Sequence, residues 1–240
     1  MNLALLHEHQ WINDQRAWLS PRQTHHVAQV LKANTGDTIR VGRPNGPIGF
    51  GVIESLGAER AEVSVQWHSD PPPPNPVSLI LALPRPKMLR RVLQTSVAMG
   101  VKRLVLVNAY KVDKSYWQTP HLKTTLLREK MLLGLEQARD TRMPELLLRD
   151  RFRPFVEDEL DDFAGNSLRL LAHPGAHPPL PNGIEQPVTL AIGPEGGWTD
   201  YEVDMLRAHG FQCHSFGERI LRVETAVPAM LGRILNISGG

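Results

Sequence analysis

The chain has 240 residues, of which 41% are hydrophobic and 22% charged, so it can bury a sizeable core and is not intrinsically disordered. A formal net charge of +2 does not by itself announce a nucleic-acid binder. The single cysteine, Cys213, excludes an intrachain disulfide framework and fits a reducing compartment.

No apolar run approaches the about 20 residues that a membrane helix needs. The opening segment MNLALLHEHQ has neither the basic start nor the apolar stretch of a signal peptide. The expected setting is the cytoplasm.

The first 70 residues read mostly as β-structure. Thr24 is placed to cap a short helix in which Val27, Val30 and Leu31 share a face. Thr38 to Val41 reads as a strand, and Pro44-Asn45-Gly46-Pro47 as a turn. Ile48, Phe50 and Val52 alternate, as do Ala61, Val63, Val65 and Trp67. Short strands with one helix suggest a small β-barrel domain over residues 1–70. Pro71 to Pro76, five prolines around Asn75, predicts a stiff extended linker.

Over residues 77–240 strands and helices alternate, which implies an α/β domain with a mostly parallel sheet. Strands are expected at 77–83, 103–108, 145–148, 167–172 and 188–192. Helices are expected at 86–99, 122–139 and 154–163. Thr199-Asp200-Tyr201-Glu202 fits a capping box, and Gly210 fits the stop of that helix. Phe211, Cys213 and Ser215 make a short strand, which marks Cys213 as a core thiol rather than a nucleophile. A last helix carries Val227, Met230, Leu231, Ile234 and Leu235 on one stripe, with Pro228 tolerable near its start.

Two Gly-bearing loops stand out. Gly193-Pro194-Glu195-Gly196-Gly197 follows an unalternating apolar strand, and Phe216-Gly217-Glu218-Arg219-Ile220-Leu221-Arg222 follows the short strand. Alone, the first could be just a turn. It is neither a phosphate loop, since no Gly-Lys-Ser/Thr follows, nor a dinucleotide fingerprint. Together, two loops at strand-to-helix junctions suit a nucleotide-like ligand approached closely by backbone.

Ile192 to Trp198 together with Gly217 to Ala226 closely resemble the RsmE family of SPOUT-class methyltransferases, which modify N3 of a uridine in small-subunit ribosomal RNA. A weaker similarity covers the rest. His25-His26 to Leu31 with Gly36-Asp37 resembles the family's PUA-like N-terminal barrel. Glu136-Gln137 to Arg139 with Met143-Pro144 resembles its central helix exit, and Leu171-Ala172-His173-Pro174 its first cofactor loop. The resemblance implies a C-terminal trefoil knot, S-adenosylmethionine as cofactor, 16S ribosomal RNA or the small ribosomal subunit as partner, and a homodimer with sites at the subunit interface. It places cofactor contacts at Leu171, His173, Ile192, Gly193, Pro194, Gly196 and Gly197 in the first two loops. In the third they fall at Phe216, Gly217, Ile220, Leu221, Arg222 and Thr225.

Methylating a uracil nitrogen requires the imide proton to leave and the developing anion to be stabilised. Arg222 suits the second task, because a guanidinium stays protonated and presents fixed donors. Glu224 or Glu195 could accept the proton or orient Arg222, and each could equally be a helix-end carboxylate. The histidines show no ligand spacing with Cys, Asp or Glu, so no metal is expected.

From Arg85 to Lys114 eight residues are basic and one, Asp113, is acidic. Lys87, Arg90 and Arg91 fall on one helix face. A solvated face is the ordinary explanation. However, acidic residues gather elsewhere, from Glu157 to Asp162, and this segregation favours a surface that tracks phosphates. Arg22, His25 and His26, and Arg139 and Arg142, are the further RNA-contact candidates.

The chain departs from the family pattern at Ala98-Met99-Gly100, where an acidic residue would precede Leu-Gly, at Met1-Asn2-Leu3, and at the proline-rich Pro84 to Met88. All three lie in the RNA-facing half. The alternatives are therefore a paralogue acting on another RNA site, or a non-catalytic RNA-binding or ribosome-assembly protein of the same fold.

Overall fold

The computed structural model describes residues 1–235 and divides into two compact units. The first comprises residues 1–73 with 131–143, and the second residues 74–130 with 144–240. The expected second domain runs to residue 240, and its residues 236–240 lie outside the described residues.

The first unit is built on a five-stranded sheet. Its strands are β1 (Ala4–Leu5), β2 (Arg16–Leu19), β3 (Thr38–Gly42), β4 (Ile48–Leu56) and β5 (Ala61–Ser69), in the order β1-β3-β4-β5-β2. The β3-β4-β5-β2 neighbours are antiparallel and β1 joins β3 in parallel. Leu6, Leu19, Val41, Ile53 and Val63 fill its core. Two buried glutamines satisfy each other and the chain: Gln10 Nε2 donates to Gln23 Oε1 at 3.0 Å, and Gln23 Nε2 donates to the Leu5 carbonyl at 2.8 Å.

Two local expectations change here. The helix α1 (Pro21–His25) starts earlier than expected. Ser20 caps it, with a reciprocal box to Gln23 and Pro21 at the first turn. Thr24 lies inside and is buried, its Oγ1 donating to the Leu19 carbonyl and accepting from the Ala61 N–H. The chain then widens into π-type turns over His26–Val30, which leaves Val27 buried and Val30 and Leu31 exposed. On β4, Gly49, Gly51 and Ile53 face inward while Phe50 and Val52 face solvent.

Residues 131–143 pack with this first unit, which chain order does not anticipate. Arg22 Nη2 lies 2.8 Å from the buried Glu136 carboxylate, and Asn2 N donates to the Glu136 carbonyl at 3.0 Å.

The second unit contains β6 (Val77–Ala82), α2 (Pro86–Ala98), β7 (Arg103–Val107) and the start of α3 (Thr124–Ala138), followed by β8 (Glu145–Arg149). A helical stretch of α4 (Phe152–Pro154), π-type turns and α5 (Leu160–Ala164) leads to β9 (Leu168–Ala172). Then come β10 (Val188–Ile192), α6 (Asp200–Ala208), β11 (Gln212–His214) and α7 (Val223–Ile234). All six strands run parallel in the order β11-β9-β10-β6-β7-β8. β10 is buried at every residue, as its lack of alternation requires for an interior parallel strand. Gly100 and Gly210, at φ +81° in both cases, end α2 and α6 in the left-handed conformation that glycine tolerates.

Candidate active site

Three strand ends come level in the second unit. Ile192 of β10 pairs with Ala172 of β9, and Ala172 pairs with His214 of β11. Their outgoing loops therefore start side by side at the carboxyl edge of a parallel sheet, where ligands bind in open α/β folds. Between them lies a cavity of about 450 Å³. One wall is Ala172 to Gly175, the second Ile192 to Glu195 with Gly197 and Trp198, and the third Ser215 to Leu221. Val223, Ala226 and Met230 of α7 complete it.

The first Gly loop is held from several sides. The Gly197 N–H donates to the Pro194 carbonyl at 2.8 Å, closing a turn with Gly197 at φ +72°. Lys111 Nζ donates to the Gly196 carbonyl at 2.9 Å. Glu195 Oε1 accepts from the Arg85 N–H at 3.3 Å and lies 3.8 Å from its Nε. Behind the loop, Thr199 caps α6 with the expected reciprocal Glu202 contacts. Glu202, only 3% exposed, also accepts the Tyr110 N–H at 2.7 Å.

Trp198 anchors the turn. It is buried, its ring lies 5.7 Å from that of Phe152, and its Nε1 has no hydrogen-bond partner. A Cβ at Gly193 would sit 3.0 Å from that Nε1, so only glycine lets the backbone lie against the indole. The cavity thus offers backbone groups on two loops, an apolar wall and no cluster of three or more metal-ligating side chains among the described residues. Such a lining fits a nucleoside-bearing ligand.

The lining includes His173, Ile192, Gly193, Pro194 and Gly197 of the expected cofactor contacts, and also Phe216, Gly217, Ile220 and Leu221. Leu171, Gly196, Arg222 and Thr225 are outside it. Leu171 is fully buried, one residue before the strand end, and Gly196 is turned toward Lys111. Arg222 is the exposed N-cap of α7, where its carbonyl accepts the Ala226 N–H at 2.7 Å; Glu224 follows in the first turn and Thr225 is exposed. Trp198 and Glu218 lie in the two singled-out loops but were not among the expected cofactor contacts, and neither were Ser215, Arg219, Val223, Ala226 and Met230. The Trp in the Gly-Gly-Trp sequence was the available signal for the first. His173 Nδ1 lies 2.7 Å from the Pro174 carbonyl, and its ring meets His177 edge-on at 5.3 Å.

The expected RNA-contact residues fall in both units. Lys87, Arg90 and Arg91 are exposed on α2, and Arg85 precedes it. Lys87 and Arg90, with His121 and Lys130, edge a groove floored by Leu89 and Leu93. In the first unit, Arg22 and His25 are exposed, and burial pushes the pKa of His26 down beside the Met1 amine 3.2 Å away. Arg139, at φ +57°, and Arg142 are exposed after α3. Arg103 of the basic segment is engaged structurally: it donates to the Phe163 carbonyl at 3.0 Å and lies over the Phe163 ring.

Residues 71–235 match the model of the RNA methyltransferase domain. Across 98% of this chain and 91% of the relative, the sequence is 28% identical to ribosomal RNA small subunit methyltransferase E of Treponema pallidum. The corresponding protein of Synechocystis is 26% identical over 90% of this chain and 71% of its own length. The fold matches the crystal structure of ribosomal RNA small subunit methyltransferase E from Neisseria gonorrhoeae bound to S-adenosyl methionine, with a TM-score of 0.73 at 22% identity over 95% of both chains. A family model that matches residues 71–235, and relatives that align along nearly the full chain, place this protein in the RNA methyltransferase family, on its ribosomal RNA small subunit methyltransferase E (RsmE) branch.

Proposed function

We propose that this protein uses S-adenosylmethionine to methylate N3 of a uridine in 16S ribosomal RNA of the small subunit. The observation that carries this reading is the cavity formed where β9, β10 and β11 end level, lined by backbone from two Gly-bearing loops. The turns at Gly193 to Gly197 and Phe216 to Leu221 would hold the cofactor, with Ile192, Leu221, Ala226 and Met230 as apolar lining. When bound, the cofactor supplies an electrophilic methyl group.

Arg222, at the mouth of α7, stabilises the uracil anion, and Glu224 or Glu195 takes the imide proton. RNA phosphates are tracked by Arg85, Lys87, Arg90 and Arg91, and in the first unit by Arg22, His25, His26, Arg139 and Arg142. Residues 1–70 act as a PUA-like RNA-binding module, 71–76 as a linker and 77–240 as the SPOUT methyltransferase domain. A trefoil knot in the latter is supported by the loop after β9. Leu180 N donates to the Ser215 carbonyl at 2.8 Å, and Ile184 N to the Ile234 carbonyl at 2.7 Å, so one loop clasps both later elements. The active form is a cytoplasmic homodimer.

Calorimetry with S-adenosylmethionine, paired with base-modification mapping of total RNA from a deletion strain, tests the reading. Cofactor binding and loss of one N3-methyluridine in 16S RNA are expected. Cofactor binding with a different lost mark would relocate the target, and absence of both would leave an RNA-binding protein.

A further inference from the structure

The first unit carries an aromatic surface that methyl transfer in the second unit does not use. Phe50 and Val52 are 39% and 38% exposed on the outer face of β4. This orientation is enforced. A Cβ at Gly49 would lie 2.1 Å from the Gln66 carbonyl, and one at Gly51 3.0 Å from Val41 and 3.2 Å from Val63. The inner face therefore admits no side chain at Gly49, and a methyl group at Gly51 would have to push the two valines aside. A one-residue slip that turned Phe50 inward would drive a ring into the neighbouring strand.

The surroundings of Phe50 are those of a base-stacking platform. Register places Arg40, Phe50 and Gln66 in one cross-strand row over β3, β4 and β5. The Arg40 guanidinium carbon lies 5.6 Å from the Phe50 ring centre, and the His68 ring lies 5.8 Å from it on the same face. Beside them is a hollow of about 390 Å³ edged by Phe50 and Val52 and by the polar Gln15, Thr38, Ser64 and Gln66. Nearby carboxylates are engaged. Glu62 is shared by Arg16 at 3.4 Å and Arg60 at 3.5 Å, and Glu54 accepts from Ser64 at 2.6 Å. Arg40 has no ion pair among the described residues.

We infer that this face of the first unit binds a stretch of single-stranded RNA, with a base stacked on Phe50 and Arg40 and a phosphate drawn to Arg40. Aromatic rings interleaved with cations on an open sheet are how unpaired strands are held without sequence-specific pairing. Two apolar side chains are too few for a protein partner, which would need roughly 800 Å² of contact on each side. The inference rests on the RNA-methylating reading above, and it gives the first unit an RNA contact distinct from Arg22, His25 and His26.

Fluorescence anisotropy of the full chain with a labelled single-stranded oligouridine tests it, alongside calorimetric titration of S-adenosylmethionine into the same samples. Phe50→Ala should weaken oligouridine binding about tenfold, the scale of one lost stacked base, with an unchanged salt slope. Phe50→Tyr should bind like the parent. Arg40→Gln should weaken binding and lower the salt slope by about one. Cofactor affinity should stay constant in all three. Parent-like RNA binding by Phe50→Ala would overturn the inference. So would a change of Phe50→Ala from dimer to monomer at unchanged RNA affinity, since a second copy would then occupy the face. If the parent chain binds no S-adenosylmethionine but Phe50 still governs RNA binding, the methylation reading fails and the platform stands.

Discussion

Lys111 holds the glycine turn of the cofactor cavity: its Nζ donates to the Gly196 carbonyl at 2.9 Å, and its Cδ lies 3.0 Å from the point where a Gly196 Cβ would stand. The lysine comes from the loop after β7 and the glycine from the loop after β10, two strands away in the sheet. Lys111→Met keeps the apolar stem and removes the hydrogen bond. Such a bond contributes about 1 kcal/mol, so cofactor affinity should fall about fivefold with little change in melting temperature. Calorimetry on the pair of proteins checks this; unchanged affinity would show that the turn holds its shape without the lysine.

The two glycines of that turn should differ in tolerance. At Gly193 a methyl group meets the rigid indole of buried Trp198, at 3.0 to 3.2 Å. Overpacking of this kind costs about 1–3 kcal/mol, so Gly193→Ala should lower the melting temperature and weaken cofactor binding more than tenfold. At Gly196 the methyl meets the Lys111 stem, whose outer carbons can turn aside although its Cβ, 3.2 Å away, cannot, so Gly196→Ala should cost less than Gly193→Ala, about 1 kcal/mol or below. Equal effects at both positions would contradict the contacts.

Arg222 is exposed, contributes its backbone carbonyl to the start of α7, and makes no side-chain cap there. Arg222→Ala should therefore leave thermal stability almost unchanged. Methylation should be abolished while cofactor affinity stays within about tenfold, or ~1.4 kcal/mol. Near-normal turnover would remove Arg222 from the chemistry.

Acid should loosen the edge of the parallel sheet. Glu159 receives Arg149 Nε at 2.7 and 2.8 Å, and these bonds hold its carboxyl below the usual Glu range. Asp161 is likewise held low, first by Arg169 and then by His209. A depressed carboxylate contributes stability above its unfolded pKa and loses it as the pH falls through the folded value. The melting temperature should thus drop as the pH is lowered from about 5 through about 3. The Asp161 side chain is 63% exposed and that of Glu159 40%, so solvent screening keeps the effect small. Glu159→Gln should melt lower than the parent near neutrality and converge on it in acid, in scans across that range. Parallel curves would rule out this pair as a source of the acid response.

Local chemistry made much of this fold legible. The Thr199–Glu202 box, the glycine stops at Gly100 and Gly210, and the unalternating β10 depend on neighbours within a few residues or on burial of a whole strand, and they stand as read. The cap at Ser20 was missed because Thr24 has the same hydroxyl. What separates them is the Gln23 amide, which closes a box on Ser20, and the β5 backbone, which claims Thr24.

Sequence by itself determined that a buried strand delivers a Gly-rich turn, that a second Gly-bearing loop lies about twenty residues on, and which family that pair resembles. Only the tertiary structure decided which side chains meet. Level register of three parallel strands brings Ala172 to the cavity and leaves Leu171 in the core, because successive residues of a strand face opposite sides. Tight packing at Gly49 and Gly51 turned Phe50 outward, where alternation alone allowed either face. Residues 131–143 return to the first unit, where Arg22 meets Glu136 across 114 positions and Asn45 N donates to the Thr141 carbonyl. A pattern read along the chain carries no distance through space, so such pairings appear only once the chain has packed.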